Sequence, residues 1–337
     1  LNVPIHRAPT DYSQGYFARL KEERKVHYNR RQFLSAAASL ALYYGVMPSF
    51  GAGQENERTR LILLGTKGGP RVSEDRKNPS TLLLIKGTPY LVDCGYGASR
   101  QLLAAGVPIE SLRYIFITHH HSDHNLEYGA LLNNAWATGS PMRVDAYGPP
   151  GLEKMTHDFF EYLKFDIETR IVDEGRPDLR KLVAAHEFNK PGVVLQNDDV
   201  KISSCLVRHP PIKQAYAYRF DAKDRSIVIS GDTAYSPELA IFAKGADVLV
   251  HEVMYLPAIE ALLKRVPTAV RLREHLLAAH TVPEDVGKVA TSAGVKTLVL
   301  SHFVPGDDPS ITDEQWSEGV RKFFKGRIIV GKDLMEI

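Results

Sequence analysis

The sequence predicts an α/β fold: two mixed β-sheets packed face to face, with helices on their outer surfaces. Three observations lead there. From Arg58 onward, short apolar runs rich in Val, Ile and Leu alternate with stretches of helical periodicity. The progression from strands to helices occurs twice, which suits two sheets that share a core and carry helices outside. The chain has 337 residues, 44% hydrophobic and 24% charged, an ordinary soluble composition with the length to bury a substantial core.

The elements follow in order. Apolar runs bounded by turn residues predict strands at Leu61–Leu64, Leu82–Ile85, Tyr90–Val92, Tyr114–Ile117 and Val144–Tyr147. A second set follows at Val200–Val207, Ala215–Phe220, Ser226–Ile229, Val248–Val250, Thr297–Leu300 and Arg327–Val330. Helical spacing predicts helices at Ala98–Ala105, Leu126–Ala137, Gly151–Leu163, Pro237–Ala243, Leu256–Arg265, Pro283–Ser292 and Asp313–Phe324. Asp93–Cys94–Gly95, Gly148–Pro149–Pro150 and Pro305–Gly306–Asp307–Asp308 are turn punctuation. No repeat or low-complexity tract interrupts this pattern.

Residues 1–53 read as an N-terminal extension, and 54–337 as one working domain. Arg30–Arg31–Gln32–Phe33–Leu34 precedes the apolar stretch Ala36–Leu42, in the manner of a twin-arginine export signal. That stretch ends near Pro48, too short to span a bilayer, so the mature chain is expected to carry no membrane span. The expected location is periplasmic or secreted, with an ordinary amphipathic helix and a cytoplasmic protein as the alternative. A net charge of +2 supplies no field that would draw nucleic acid or an anionic membrane. The two cysteines, Cys94 and Cys205, cannot build a disulfide framework and read as buried small hydrophobes.

Chemistry concentrates at Thr118–His119–His120–His121–Ser122–Asp123–His124, directly after the strand-like run ending at Ile117. Three imidazoles and a carboxylate at His119, His121, Asp123 and His124 suit a borderline-soft divalent metal, zinc above all. His120 lies between them and should point the other way. Four-coordinate sites need about three protein ligands each, so more must come from elsewhere. His209, Asp232 and His302 each follow an apolar run, where a rigid strand end opens to a cleft.

With those residues in place, the chain from about Arg58 to Ile337 resembles the metallo-β-lactamase-fold superfamily, an αββα sandwich with its metal cleft at one edge of the two sheets. The resemblance implies one zinc on His119, His121 and His209, a second on Asp123, His124 and His302, and Asp232 bridging both. Mn2+ or Fe2+ suits the same donors. Asp93 would orient a ligand histidine. Val250–His251–Glu252, His280–Thr281 and the opening loop Leu64–Arg71 resemble the branch that holds transfer-RNA 3′-processing nucleases and zinc arylsulfatases. That branch implies Glu252 and His280 as a proton-handling pair, with His251 packed beneath. The expected activity is ester hydrolysis by a water made acidic between two metals, with Asp123, Glu252 and His280 as its catalytic side chains.

Three functions compete. An arylsulfatase-type hydrolase acting on a small anionic sulfate or phosphate ester fits the export-like segment and the phrase Arg208–Phe220. Lys67, Arg71 and Lys213 are cations that suit such an ester, but the default reading of each is a plain surface cation, and none is assigned to the site. The alternative is a transfer-RNA 3′-processing ribonuclease, whose family carries a basic arm. Here the matching stretch, Gly151–Asp199, holds eleven Asp/Glu against seven Lys/Arg, and an acidic arm disfavours RNA. The third reading is a metal-bearing module without catalysis. Leu256–His280, with Lys264, Arg265, Arg271 and Arg273 among apolar residues, reads as a solvated amphipathic helix; a lid over the cleft or a homodimer contact is the other use of it.

Overall fold

The structure, a computed structural model, describes residues 58–337. The twin-arginine-like segment and the boundary at residue 53 lie outside the described residues. Within them, no helix is long and apolar enough to cross a membrane.

Among the described residues, fourteen strands form two seven-stranded sheets. The first contains β1 (Arg60–Gly65), β2 (Ser80–Ile85), β3 (Thr88–Val92), β4 (Tyr114–Phe116), β5 (Val144–Gly148) and β6 (Val183–Glu187) in that order, with β14 (Met335–Glu336) outside β1. The second runs β7 (Gly192–Gln196), β8 (Val200–Leu206), β9 (Tyr216–Ala222), β10 (Ser226–Ile229), β11 (Val248–Met254), β12 (Thr297–Val304) and β13 (Arg327–Val330). Both sheets are mixed: β3 to β6 pair in parallel, and so do β10 to β13, whereas β1 to β3 and β7 to β10 are antiparallel. The expected architecture is therefore present.

Period-two side-chain alternation explains the layers. Leu61, Leu63, Val92 and Phe116 face inward and meet Phe220, Ile227, Val250 and Val299 of the other sheet. Ile62, Leu64, Leu91 and Ile115 face outward. They are covered by α1 (Ala98–Ala104) and, beyond the short α2 (Ser122–Asn125), by α3 (Tyr128–Ala137). Beyond β5, α4 (Leu152–Tyr162) and α5 (Lys164–Asp173) follow; Phe160 and Ile167 pack with Trp136 and Leu179. On the second sheet, Val228, Leu249 and Leu298 lie under α6 (Pro237–Phe242), α9 (Pro283–Ala293) and α10 (Asp313–Arg321). Two further helices, α7 (Ile259–Arg265) and α8 (Leu272–Ala279), sit between β11 and α9 in the chain.

Several elements differ from expectation. β6 and β7 close the same end of their sheets, and their side chains are half-buried or exposed, so no apolar run marks them. The acidic stretch Gly151–Asp199 is thus α4, α5 and two edge strands, folded against the domain. β11 and β12 continue past their apolar runs, because both carry polar site residues inside the strand. His302 accordingly lies within β12, not beyond it. The register shifts there: Glu252 faces Ser301 and Val253 faces Phe303, leaving His302 unpaired in a bulge. A bulge bends the strand and re-aims one side chain. His302 has φ 44° and Asp93 φ 59°, a left-handed backbone that non-glycine residues seldom adopt.

Candidate metal centre

The strand ends of both sheets converge on one cluster. β4 delivers His119 through Ile117–Thr118, and α2 places Asp123 and His124 one turn later, with His121 at its N-terminal boundary. His209 follows β8, Asp232 follows β10, and His302 comes from the bulge in β12. Gly231 makes the last approach before Asp232. Its φ is 59°, and a Cβ there would lie 3.0 Å from the Tyr216 carbonyl oxygen and 3.1 Å from Thr118 Cβ.

Two donor groups share one carboxylate. His119, His121, His209 and Asp232 offer nitrogen and oxygen atoms within 4.8 Å of one another, and so do Asp123, His124, Asp232 and His302. The two oxygens of Asp232 divide between them. Oδ2 lies 3.9 Å from both His119 Nε2 and His209 Nε2. Oδ1 lies 3.2 Å from His124 Nε2 and 3.0 Å from His302 Nε2. Despite those distances, Oδ1 is buried without a hydrogen bond, because the nitrogens are not aligned to donate to it.

The outer ring atoms decide which inner atoms carry lone pairs. Asp93 Oδ2 accepts from His124 Nδ1 at 2.8 Å and from Thr118 Oγ1 at 2.9 Å, while Oδ1 accepts from the Thr118 amide. Thr118 Oγ1 lies 3.0 Å from His119 Nδ1, and the Ala279 carbonyl accepts from His209 Nδ1 at 3.0 Å. With Nδ1 protonated in each, Nε2 of His119, His124 and His209 presents a lone pair to the cluster. His121 Nδ1 lies 3.0 Å from both His119 Nε2 and His209 Nε2. Nitrogens meeting at that distance form a donor set for a cation better than a hydrogen-bond network. These clusters can hold a pair of divalent ions, and the imidazole–carboxylate chemistry suits zinc and its neighbours.

Electrostatics divide the cluster: burial favours neutral rings at His119, His121 and His209, whereas the surrounding carboxylates outweigh burial at His124 and His302 and raise both. Burial, helped by the other imidazoles, holds His119 well below its usual range and brings His121 down to about 4, the neutral form a metal needs. His209 is likewise lowered by burial. Burial pushes Asp232 and Asp123 up, but the adjacent His124 and His302 outweigh it and hold both carboxyls well below normal. Burial opposes charge on His302 too, yet Asp232 and Asp123 lift it to about 10. That pull on a proton is also a pull on a cation at the same place.

Asp93 should therefore act through His124. Asp93→Asn is expected to keep the fold and weaken metal affinity by about 10- to 100-fold. Metal titration against a competing chelator measures this, and unchanged affinity would remove the assignment.

The other sequence-predicted residues fall into place unevenly. Glu252 is buried; its Oε1 accepts from His280 Nδ1 at 3.1 Å and from the Thr233 amide at 2.9 Å. His280, at the C-terminus of α8, lines the pocket over the cluster with His121, Asp123 and Asp232. His251 packs beneath, its Nδ1 donating to the Glu252 carbonyl at 2.7 Å. His120 turns away toward Pro149 and Asn125, as expected. The opening loop supports Asp123 directly: the Gly69 amide donates to Oδ2 at 2.8 Å.

Of the three cations, Lys213 is the surface residue expected, whereas Lys67 and Arg71 are not plain surface cations. Lys67 is wholly buried, its Nζ donating to the Gly68 and Gly69 carbonyls, so it braces the loop and does not face an ester. Arg71 lines the pocket but is paired with Asp307 at 2.8 Å, and Lys213 is exposed. The Leu256–His280 segment is not a simple solvated helix. Leu262, Leu272 and Leu276 line the pocket. His275, unassigned from sequence, lines it as well, its ring centroid 5.8 Å from those of His121 and His209. It stands on the same pocket-facing side of α8 as Leu272 and Leu276, a signal visible only once α8 is known. Of the other unassigned histidines, His186 pairs with Asp145 at 2.9 Å and His157 is on the surface.

Comparison with known proteins agrees with this fold. The family described as "Anti-Pycsar protein Apyc1" matches residues 59–280. Ribonuclease Z of Mycobacterium bovis is 32% identical over 280 residues, covering 82% of this chain and 97% of that protein. Ribonuclease Z of Mycolicibacterium gilvum is 32% identical over 282 residues, covering 82% and 95%. Among solved structures, the metallo-β-lactamase fold protein YhfI from Bacillus subtilis superposes with a TM-score of 0.62 at 20% identity, covering 83% of this chain and 98% of that one. The short form of human tRNase Z gives 0.59 at 20% identity, covering 82% and 98%. With the sandwich, the paired donor groups and near-full-length similarity to ribonuclease Z, the chain belongs to the ribonuclease Z branch of the metallo-β-lactamase-fold hydrolases.

Proposed function

We propose that the protein is a two-metal phosphodiesterase. The observation that carries this reading is the division of the Asp232 oxygens between two donor groups, beside a buried Glu252–His280 pair. In it, His119, His121 and His209 would hold one ion and Asp123, His124 and His302 the other, with Asp232 offering an oxygen to each group. When bound, such ions supply Lewis acidity and neutralise charge developing at phosphorus. The chain's own residues do the rest. Asp123, held by the Gly69 amide, orients the attacking water at the pocket floor. His280 gives a proton to the leaving oxygen, and Glu252 keeps that imidazole charged and correctly turned.

Among esters, similarity to ribonucleases favours phosphate diesters over the sulfate ester that the export-like segment suggested. It also reopens nucleic acid as a partner. A small diester remains the better fit than folded RNA, because the acidic Gly151–Asp199 stretch offers phosphates no net attraction.

A substrate panel tests both levels. Zinc-loaded protein is expected to hydrolyse bis(p-nitrophenyl) phosphate and to leave p-nitrophenyl sulfate nearly untouched. Sulfatase activity exceeding diesterase activity would refute the diesterase reading. Endonucleolytic removal of 3′ extensions from precursor transfer RNA, faster than small-diester turnover, would establish the nuclease instead.

A further inference from the structure

Lys67 is wholly buried two residues beyond β1, whereas a lysine normally keeps its ammonium in water. An ammonium in such a place must be matched by acceptors. Its Nζ donates to the Gly68 carbonyl at 3.1 Å and to the Gly69 carbonyl at 2.8 Å. The Gly69 carbonyl also accepts from Asn78 Nδ2 at 2.7 Å. Gly68 has to be a glycine: a Cβ there would lie 2.7 Å from Nδ1 and Cε1 of His302. Two adjacent glycines leave the backbone loose, so this loop needs an outside restraint, and the lysine supplies it.

The restraint acts through one planar unit. The Gly68 carbonyl and the Gly69 N–H belong to the same peptide bond, so fixing one aims the other. The Lys67 ammonium holds the carbonyl end, and the N–H end donates to Asp123 Oδ2 at 2.8 Å. A cation on the carbonyl oxygen also polarises the amide and strengthens its N–H as a donor. On the other edge of the loop, the Phe303 amide donates to the Thr66 carbonyl and the Gly68 amide to the Phe303 carbonyl, each at 2.9 Å. These bonds pin β12 directly after the bulge that carries His302.

Asp123 and His302 belong to one donor group, with His124 and Asp232. The histidines of the other group are held from elsewhere. His209 Nδ1 donates to the Ala279 carbonyl, and His119 Nδ1 sits beside Thr118 Oγ1. We propose that Lys67 is a positioning residue for the second metal position, the one on Asp123, His124 and His302: it aims the Gly69 amide at Asp123 and keeps the loop against His302. This role rests on the two-metal reading, and its test separates the two.

Zinc is titrated into the full chain against chelators of graded affinity, which resolves a dissociation constant for each ion. Lys67→Met keeps the length and the buried stem and removes the ammonium. It is expected to weaken one ion by about 10- to 100-fold and leave the other within about twofold, a split that general loosening of the fold would not give. Two backgrounds say which ion it is. With His121→Ala the remaining ion should weaken on adding Lys67→Met; with His302→Ala the remaining ion should not. Asn78→Ala, which removes the other donor to the Gly69 carbonyl, should weaken the same ion less, and it decides the matter if Lys67→Met does not fold. Equal weakening of both ions, or no weakening of either, would overturn the proposal. A wild type that binds a single ion would reject the two-metal reading, and Lys67 would keep its role only if Lys67→Met weakened that ion.

Discussion

Asp232→Ala is expected to empty both metal positions, whereas His121→Ala should empty only one. The asymmetry follows from geometry. His121 belongs to the donor group of His119 and His209 alone, but Asp232 turns one oxygen to that group and the other to His124 and His302. Removing the carboxylate also removes the negative charge that draws a cation into a buried nest of imidazoles. Both variants should lose activity by about 1,000-fold or more, because a Lewis acid contributes several kcal/mol at the attacked centre and each 1.4 kcal/mol is tenfold. Mass-spectrometric metal content and diester turnover, measured on the same preparations, check this. Full occupancy with wild-type turnover in both variants would end the two-group assignment. Loss of both ions from His121→Ala would show instead that the two positions fill as one.

The sandwich and its metal cluster were legible in the sequence for different reasons. Runs such as Leu61–Leu64 and Val248–Val250 are buried on both faces, one against the partner sheet and one under helices, so nearly every residue in them is apolar. The motif from His119 to His124 is local, and its residue types have few other uses in one short segment. His302 was found by type but placed past its strand, since a bulge is a register event between β11 and β12 that no single run of residues displays. The edge strands β6 and β7 carry half-exposed side chains and lack the signal altogether. Lys67 reads by default as a surface cation, yet it is buried and its ammonium is consumed by the carbonyls of its own loop, a local fold that residue type does not display. The pocket-lining leucines needed the packing of α7 and α8 over the cleft, a long-range fact that composition hides behind their charged outer faces.

His280→Ala should leave both metals bound and still cost about 100- to 10,000-fold in kcat on an ester with a poor leaving group, the usual worth of a placed general acid. The argument lies in how Glu252 treats the ring. Burial alone would lower the His280 pKa, but the Glu252 carboxylate, 3.1 Å from Nδ1, outweighs it and raises the pKa above normal. A raised value lets the acid hold its proton to higher pH than a free imidazole, and activity should fall as pH climbs through it. Glu252→Gln removes that stabilising charge, so the His280 pKa drops and the alkaline limb of the kcat profile moves to lower pH. A p-nitrophenolate leaving group needs no proton, so on such an ester the His280→Ala loss should shrink to about tenfold or less. A purely structural role would lower turnover on both kinds of ester alike and leave the limb where it was. The acid assignment fails if the two esters suffer equally, or if Glu252→Gln leaves the profile unmoved.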